Sequence, residues 1–265
     1  MLEIIKEHIG FRKQILSLAK ADIVKTYKGS ALGWLWAIIK PITTIFVYWF
    51  AFRIGLRASR FVDGNPFFVW LIAGIVPWFY ISEMITQGTG AIRKYRYLVT
   101  KMKFPVSTVP TFVSLSKLLV HMGLLLITIV ILITQGYPID IYYLQLPYYM
   151  LMMFIFFVMW SLFSSPLAAI SKDFSNLVKS LLTAIFWFSG ILYDPRKIKI
   201  KLLRRILMLN PVTYIVQGYR DTLIFKVWFW ENKFQLISFL IILSLMTFIA
   251  IKTYKKLRKD IPDVL

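Results

Sequence analysis

The chain has no cysteine, only two histidines and few acidic residues. Its 265 residues contain 12 Asp and Glu against 32 Lys and Arg, which gives a formal net charge of +20 at pH 7. The lack of cysteine excludes disulfides, cysteine-zinc sites and thiol catalysis. His8 and His121 are far apart in the sequence and fall on different predicted elements. We therefore expect no metal site.

Two groups of catalytic motifs are also missing from the sequence. No Gly-x-x-x-x-Gly-Lys-Ser/Thr pattern occurs, so the sequence has no phosphate-binding P-loop. There is no nucleophile-elbow motif and no paired-carboxylate motif. We expect no catalytic residues and no cofactor in this chain. An integral membrane enzyme acting on a lipid-linked sugar remains the alternative from a different class.

Most of the residues in the chain are apolar. Hydrophobic residues make up 58% of the chain, charged residues only 17%, and the mean hydropathy is +0.69. A soluble domain of this length is not expected to be so apolar. The basic residues lie mainly between the apolar runs, so anionic lipid headgroups explain the charge more simply than nucleic acid does. We predict an all-α integral membrane protein with no nucleic-acid partner.

Six apolar segments are close to the length that spans a bilayer. We predict six transmembrane helices at about 34–52, 67–89, 106–135, 146–169, 177–193 and 235–251. They form a single transmembrane domain over residues 31–265. Residues 1–30 are predicted to form an amphipathic helix on the cytoplasmic face, with residues such as Ile9, Ile15 and Leu16 on its apolar side. This interfacial helix would act either as a lever that also contacts a cytosolic partner or as a passive anchor.

The distribution of Lys and Arg between loops sets the expected orientation. With the N-terminus inside, the inner segments carry more of these residues than the outer ones, which favours both termini in the cytoplasm. The basic segment 194–231 opposes this assignment. However, long segments translocate largely regardless of charge. Asn210-Pro211 breaks this segment, and we expect two short helices folded against the outer face.

The sequence changes character between residues 25 and 41, KTYKGSALGWLWAIIKP. Lysines come first, Trp34 and Trp36 follow at the expected interface, and aliphatic residues continue into the membrane. Residues 25–36, with Lys40-Pro41, resemble the corresponding segment in permease subunits of ABC exporters for bacterial surface polysaccharides. The stretches WLIAGIVPWF at 70–79 and KMKFPV at 101–106 resemble the teichoic acid branch of this type-2 exporter superfamily.

The resemblance implies a transport subunit rather than an enzyme. It implies a homodimer in the bacterial cell membrane, joined by two ATPase subunits that hold ATP and magnesium. The cargo would be a lipid-linked anionic polymer, a teichoic acid, moved from the cytoplasm to the outer face. O-antigen, capsular polysaccharide and a drug are alternative cargoes. The resemblance also implies a pair of short re-entrant helices before the last span.

The loop RKYRYLVTKMK at 93–103 is basic and aromatic and has no acid. A solvated inner loop obeying the positive-inside rule would explain the charge alone. The resemblance implies instead a short coupling helix that docks into a groove on the ATPase. The residues expected to make this contact are Arg93, Lys94, Tyr95, Arg96, Tyr97, Leu98, Lys101 and Met102.

Charged and aromatic residues inside the predicted spans suggest a path for the cargo. Glu83 is expected to pair with Lys117 or a backbone donor, and His121 lies one helical turn from Lys117. Aromatic rings can carry a sugar chain by stacking, although packing against neighbouring helices is the simpler role for any one ring. The candidate path residues are Trp78, Phe79, Tyr80, Lys117, His121, Phe186, Trp187 and Phe188.

Basic residues also gather on the predicted outer side. They would either bind anionic lipid of the outer leaflet or attract a polyanionic cargo as it emerges. This outer basic cluster comprises Arg53, Arg57, Arg60, Arg196, Lys197, Lys199 and Lys201.

Overall fold

The computed structural model describes residues 2–55, 61–101 and 104–261, and most of these residues are helical. The helices are α1 (Leu2–Gly10), α2 (Arg12–Tyr27), α3 (Trp36–Phe50), α4 (Phe67–Glu83), α5 (Ala91–Lys94), α6 (Arg96–Thr100), α7 (Val109–Thr134), α8 (Leu146–Ile170), α9 (Lys172–Trp187), α10 (Lys201–Leu209), α11 (Pro211–Arg220) and α12 (Lys233–Leu257). A short antiparallel hairpin, β1 (Phe61–Val62) and β2 (Asn65–Pro66), precedes α4. The all-α membrane fold is confirmed.

Five helical segments of the described chain are long and apolar enough to cross a membrane. They are Gly33–Gly55, Phe67–Gly88, Val106–Thr134, Ile141–Ile170 and Lys233–Leu257. These segments coincide with the first, second, third, fourth and last predicted spans. The apolar runs predicted them well because each run is close to the ~20 residues that span hydrocarbon.

The fifth predicted span, 177–193, differs from the observed helix. Helix α9 begins at Lys172, after Ser171 caps it by accepting a hydrogen bond from the Phe174 amide, and it ends at Trp187. Its 16 residues rise only about 24 Å. The chain then turns through Gly190, whose φ of +63° favours glycine. Residues 189–192 are buried without being helical, so the apolar run continues past the end of the helix.

Helix α4 forms the centre of the fold, and almost all of its residues are buried. It packs against α7 on one side and against α11 on another, while α8 packs against α12. Helix α3 lies at the edge of the bundle, and Pro41 is its one buried residue. The expected pair of helices in 194–231 is present, but α11 is buried within the bundle rather than folded on its outer surface. Only α10 is largely exposed.

The N-terminal segment forms two helices, α1 and α2, separated at Phe11, rather than one. Helix α2 packs against α7 and buries Ile15, Ala19 and Asp22. Ile15 of the expected apolar side is thus buried on protein, while Ile9 and Leu16 of that side are exposed. The placement of this side on the membrane surface stays a prediction.

Candidate coupling site and membrane cavity

Asp22 lies at the junction of α2, the α5–α6 segment and α7, and only 1% of its surface is exposed. Its carboxylate accepts a hydrogen bond from the Lys94 ammonium at 2.6 Å. It also accepts hydrogen bonds from the hydroxyls of Tyr95 and Ser116. A buried carboxylate is stable only with such partners. This Asp22 network therefore fixes the N-terminal helices against the 91–100 segment.

The protonation states of this network follow from its burial. Burial alone would raise the pKa of Asp22, but the hydrogen bonds from Lys94, Ser116 and Tyr95 outweigh it and hold the pKa below 3.8. Burial, reinforced by the negative charge of Asp22, raises the pKa of Tyr95 above its usual value. At neutral pH the network therefore consists of a charged carboxylate and a protonated phenol.

Further contacts join the N-terminal helices to the start of α7 and the end of α12. The Ser107 hydroxyl donates to the Glu7 carboxylate, and His8 Nε2 lies 2.7 Å from Thr111 Oγ1. Arg258 Nη1 donates to Glu3 at 2.8 Å. These side-chain contacts, together with Asp22, give α1 and α2 a direct mechanical connection to α7.

The predicted coupling residues divide between two faces of the 91–101 segment. Tyr95 and Leu98 are each 3% exposed, and Arg93 donates to the carbonyl of Ala169 at 3.0 Å. These three residues contact the interior of the chain, where α5 packs against α7 and α8. A role for them in the ATPase contact stays a prediction.

The opposite face of the 91–101 segment is open. Arg96, Tyr97 and Lys101 are exposed, and the Lys94 side chain is 31% exposed. Met102 lies outside the described residues. The exposed residues form a basic surface with one aromatic ring, which we call the coupling surface.

A polar cavity of about 550 Å³ lies between the end of α2 and helices α3, α4 and α7. Within it Lys117 Nζ lies 3.2 Å from Glu83 Oε2, so the expected ion pair is present. His121, also in the lining, is 1% exposed and hydrogen-bonds through Nε2 to Tyr219 Oη at 2.7 Å. Lys117 and His121 therefore face away from lipid, as the sequence predicted.

A second cavity of about 280 Å³ adjoins the first. The two cavities share the lining residues Pro41, Phe79 and Leu124. Thr128 is the one residue of the second lining that carries a polar side chain, apart from the indole of Trp49. The two cavities are therefore adjacent, and we call them together the groove, with a polar part and an apolar part.

The predicted aromatic path does not form one surface. Phe79 and Tyr80 line the polar cavity with Lys117 and His121. Trp78 and Phe186 are buried and pack on each other with ring centroids 5.3 Å apart. Trp187 and Phe188 are exposed, on neither cavity. The structure therefore brings together only half of the predicted set, because neighbouring rings in a helix point to different sides.

The outer basic cluster is partly neutralised where the structure describes it. Arg196 pairs with Asp221 at 3.0 Å and with Asp194 at 3.3 Å. Lys197 pairs with Asp63. Acids distant in the sequence, Asp221 and Asp63, therefore balance the charge of these two residues. Binding of lipid or cargo by the cluster stays a prediction.

The other members of that cluster have different surroundings. Lys199 and Lys201 are exposed, while Arg53 is half-buried. Arg57 and Arg60 lie outside the described residues. The exposed positive charge on this side is therefore smaller than the sequence suggested.

The sequence reasoning missed two residues, Asp22 and Arg220. Arg220 is fully buried, and its guanidinium lies 3.5 Å from the ring centroid of Trp70. It donates to the carbonyls of Gly190 at 2.8 Å and Trp70 at 3.3 Å, and also to that of Ile191. Asp22 is the one acidic residue of α2 and Arg220 is the one charged residue of α11, which was the available signal.

Comparison of the chain with known proteins identifies its family. The family described as "ABC-2 type transporter" matches residues 13–224. A relative named "O-antigen export system permease protein RfbA" from Myxococcus xanthus is 26% identical over 221 residues, 83% of this chain and 84% of the relative. Two relatives of the same name from Klebsiella pneumoniae are 24% identical over 82% of each chain and 23% identical over 98% of each chain. Because the family match covers most of the residues, the chain belongs to the ABC-2 type transporter family.

Proposed function

We propose that this chain is the permease subunit of an ATP-driven exporter for a lipid-linked polysaccharide of the bacterial cell surface. Family membership makes the chain a transport subunit whose ATPase is a separate polypeptide. The observation that carries the choice of cargo is the shared name of the relatives, which are O-antigen export permeases. One of these alignments covers 98% of both chains, so the likeness extends beyond a common core.

We further propose that two copies of the chain act with two ATPase subunits, which hold ATP and magnesium. The coupling surface at Arg96, Tyr97 and Lys101 supports an ATPase contact, because it is exposed and basic while its other face is fixed by Asp22. A force applied to this surface would pass through the Asp22 network to α2 and α7. Both termini and the coupling surface lie in the cytoplasm in this arrangement.

Two polymers are candidates for the cargo. Residues 70–79 and 101–106 resemble the teichoic acid branch, and this supports an anionic polymer. The names of the relatives favour an O-antigen. The pairing of Arg196 and Lys197 with acids weakens the charge argument for teichoic acid. We therefore propose surface polysaccharide as the class, with O-antigen and teichoic acid as the two cargoes to be separated.

Depletion of the chain in its native cell tests this function. We expect surface polysaccharide to fall while its lipid-linked form accumulates inside, because synthesis continues without export. About one phosphate per repeat unit in the accumulated polymer would identify a teichoic acid, and little phosphate would identify an O-antigen. Unchanged surface polysaccharide after depletion, with no internal accumulation, would contradict the proposal.

A further inference from the structure

The groove formed by the two cavities changes from polar to apolar in one direction along three separate helices. On α3 the polar lining comes first and the apolar lining follows: Trp36, Lys40 and Thr44, then Ile45, Phe46 and Trp49. On α7 the same order holds: Lys117, His121, then Ile127, Thr128 and Ile131. Helix α4 runs the other way, and its lining is reversed: Phe68, Ile72 and Val76, then Ser82 and Glu83. The change from polar to apolar lining therefore follows the depth within the helix bundle and is not a property of a single helix.

The polar part of the groove carries a net positive charge. Lys117 is balanced by Glu83. Lys40 also lines the cavity, and no acidic side chain of the described residues forms an ion pair with it. Its ammonium lies 5.9 Å from the ring centroid of Trp36. Lys40 is thus available to a negatively charged group in the cavity.

Three hydroxyl-bearing residues, Thr26, Tyr27 and Ser30, line the polar cavity together with Lys40. The hydroxyls of Thr26 and Ser30 already donate to the backbone carbonyls of Asp22 and Tyr27, so the Tyr27 phenol is the remaining donor of the three. Burial, with the nearby charges of Glu83 and Asp22, raises the pKa of Tyr27 to about 12, so its phenol keeps its proton. A cation together with a phenol donor is suited to phosphate oxygens.

The apolar part of the groove is suited to a hydrocarbon chain. Its volume is about 280 Å³, and its lining extends from Ile38 to Trp49 on α3 and from Leu124 to Ile131 on α7. The lining side chains are almost all aliphatic or aromatic. It joins the polar part at Pro41, Phe79 and Leu124. A ligand that fills both parts must therefore have a charged head and an apolar tail.

We propose that this groove is a binding site for an anionic phospholipid of the cytoplasmic leaflet. The phosphodiester lies beside Lys40, and one acyl chain occupies the apolar part between α3, α4 and α7. The position of Lys40 four residues after Trp36, near the start of its span, places the head at the depth of lipid headgroups. The lipid seals the loosely packed edge helix α3 against α4 and α7. The proposal does not depend on which polymer is exported.

Lipid retention on the full-length chain tests the site. The chain, purified with its accompanying ATPase, is titrated with phosphatidylglycerol or phosphatidylcholine, and bound lipid is counted by native mass spectrometry. We expect one phosphatidylglycerol to bind most tightly, and Lys40→Ala to weaken it roughly tenfold, because a charge-assisted hydrogen bond is lost. The matched control is Lys252→Ala, since Lys252 is an exposed lysine on α12, which does not line the groove.

A second pair of variants tests the apolar part. Ile127 lines the groove and is 36% exposed, so Ile127→Trp should fill the space and lower lipid occupancy several-fold without a core rearrangement. Ile133 on the same helix is 45% exposed and lies off the groove, so Ile133→Trp should leave occupancy unchanged.

Three results would overturn the proposal. Equal retention of phosphatidylcholine and phosphatidylglycerol would show that no anionic head is recognised. An equal loss of lipid in Lys40→Ala and Lys252→Ala would assign the effect to general surface charge. Displacement of phosphatidylglycerol by a polyprenyl phosphate at equal concentration would assign the groove to the cargo's lipid carrier instead.

Discussion

At the scale of single residues, Asp22 joins three elements through one carboxylate. Asp22→Asn keeps the shape but removes the charge that Lys94, Tyr95 and Ser116 are arranged around. We expect the free energy of unfolding to fall by about 1–3 kcal/mol. This is less than for a fully buried ion pair, because the Lys94 side chain is 31% exposed. The measurement is the apparent melting temperature of the purified chain, which should fall by roughly 3–10 °C.

The control for Asp22 is Asp260→Asn, because Asp260 is exposed near the end of the described chain. Its melting temperature should stay at the wild-type value. The depressed pKa of Asp22 contributes stability above pH 3.8 that is lost as the pH falls through the folded-state value. The difference in melting temperature between wild type and Asp22→Asn should therefore disappear only in strong acid. A difference that disappears near neutral pH would contradict this account.

Gly74 and Arg220 form a second residue-scale constraint. A Cβ atom on Gly74 would overlap the guanidinium of Arg220, which is held by the carbonyls of Gly190 and Ile191. Gly74→Ala should destabilise the chain by about 1–3 kcal/mol through overpacking. The same change at Gly123, where open space surrounds the added methyl group, should be neutral or stabilising by up to about 1 kcal/mol. Thermal unfolding that ranks the two variants in the reverse order would contradict this packing argument.

At the scale of elements, the coupling surface separates two roles of the 91–101 segment. Arg96→Glu with Tyr97→Ala should weaken retention of the ATPase subunit roughly tenfold, since both residues are exposed and the charge is reversed. The melting temperature of the isolated chain should not change. Tyr95→Ala should lower that temperature, because Tyr95 is buried against Phe112 with ring centroids 4.8 Å apart.

Charge reversal on the proposed outer side provides the control for the coupling surface. Lys199 is exposed in the segment between α9 and α10, so Lys199→Glu should leave ATPase retention unchanged. The assay is co-purification from mild detergent followed by quantification of both subunits. Full retention of the ATPase by the Arg96→Glu, Tyr97→Ala variant would remove the coupling surface as the contact.

Elements with strong apolar runs were predictable, and elements stabilised by distant partners were not. Helices α4, α7 and α8 follow directly from runs of apolar residues long enough to span hydrocarbon. The burial of α11 was not predictable, because it depends on Arg220 reaching carbonyls 29 and 30 residues earlier in the chain. The Glu83–Lys117 pair was predictable, since charges within hydrocarbon require a partner. The pairing of Arg196 and Lys197 with distant acids was not.

At the scale of the whole molecule, the weakest point of the predicted topology is the fifth span. Helix α9 is too short to cross ~30 Å of hydrocarbon. Irregular backbone at membrane depth is tolerated only where protein groups satisfy it. Arg220 does so for the carbonyls of Gly190 and Ile191, directly after α9. We propose on this basis that the fifth segment crosses the membrane without a longer helix, which gives six spans rather than five.

The absence of cysteine makes this topology directly testable, because a single introduced cysteine has no background. With six spans, Lys199→Cys should react with an impermeant maleimide in intact cells, while Lys256→Cys should react only after permeabilisation. With five spans the segment after α9 stays inside. Lys199→Cys should then react only after permeabilisation, and Lys256→Cys should react in intact cells. Ile139→Cys, in the exposed turn between α7 and α8, lies outside in either arrangement and reports that labelling works. The reversed labelling pattern would also place the C-terminus outside and would contradict the assignment of both termini to the cytoplasm.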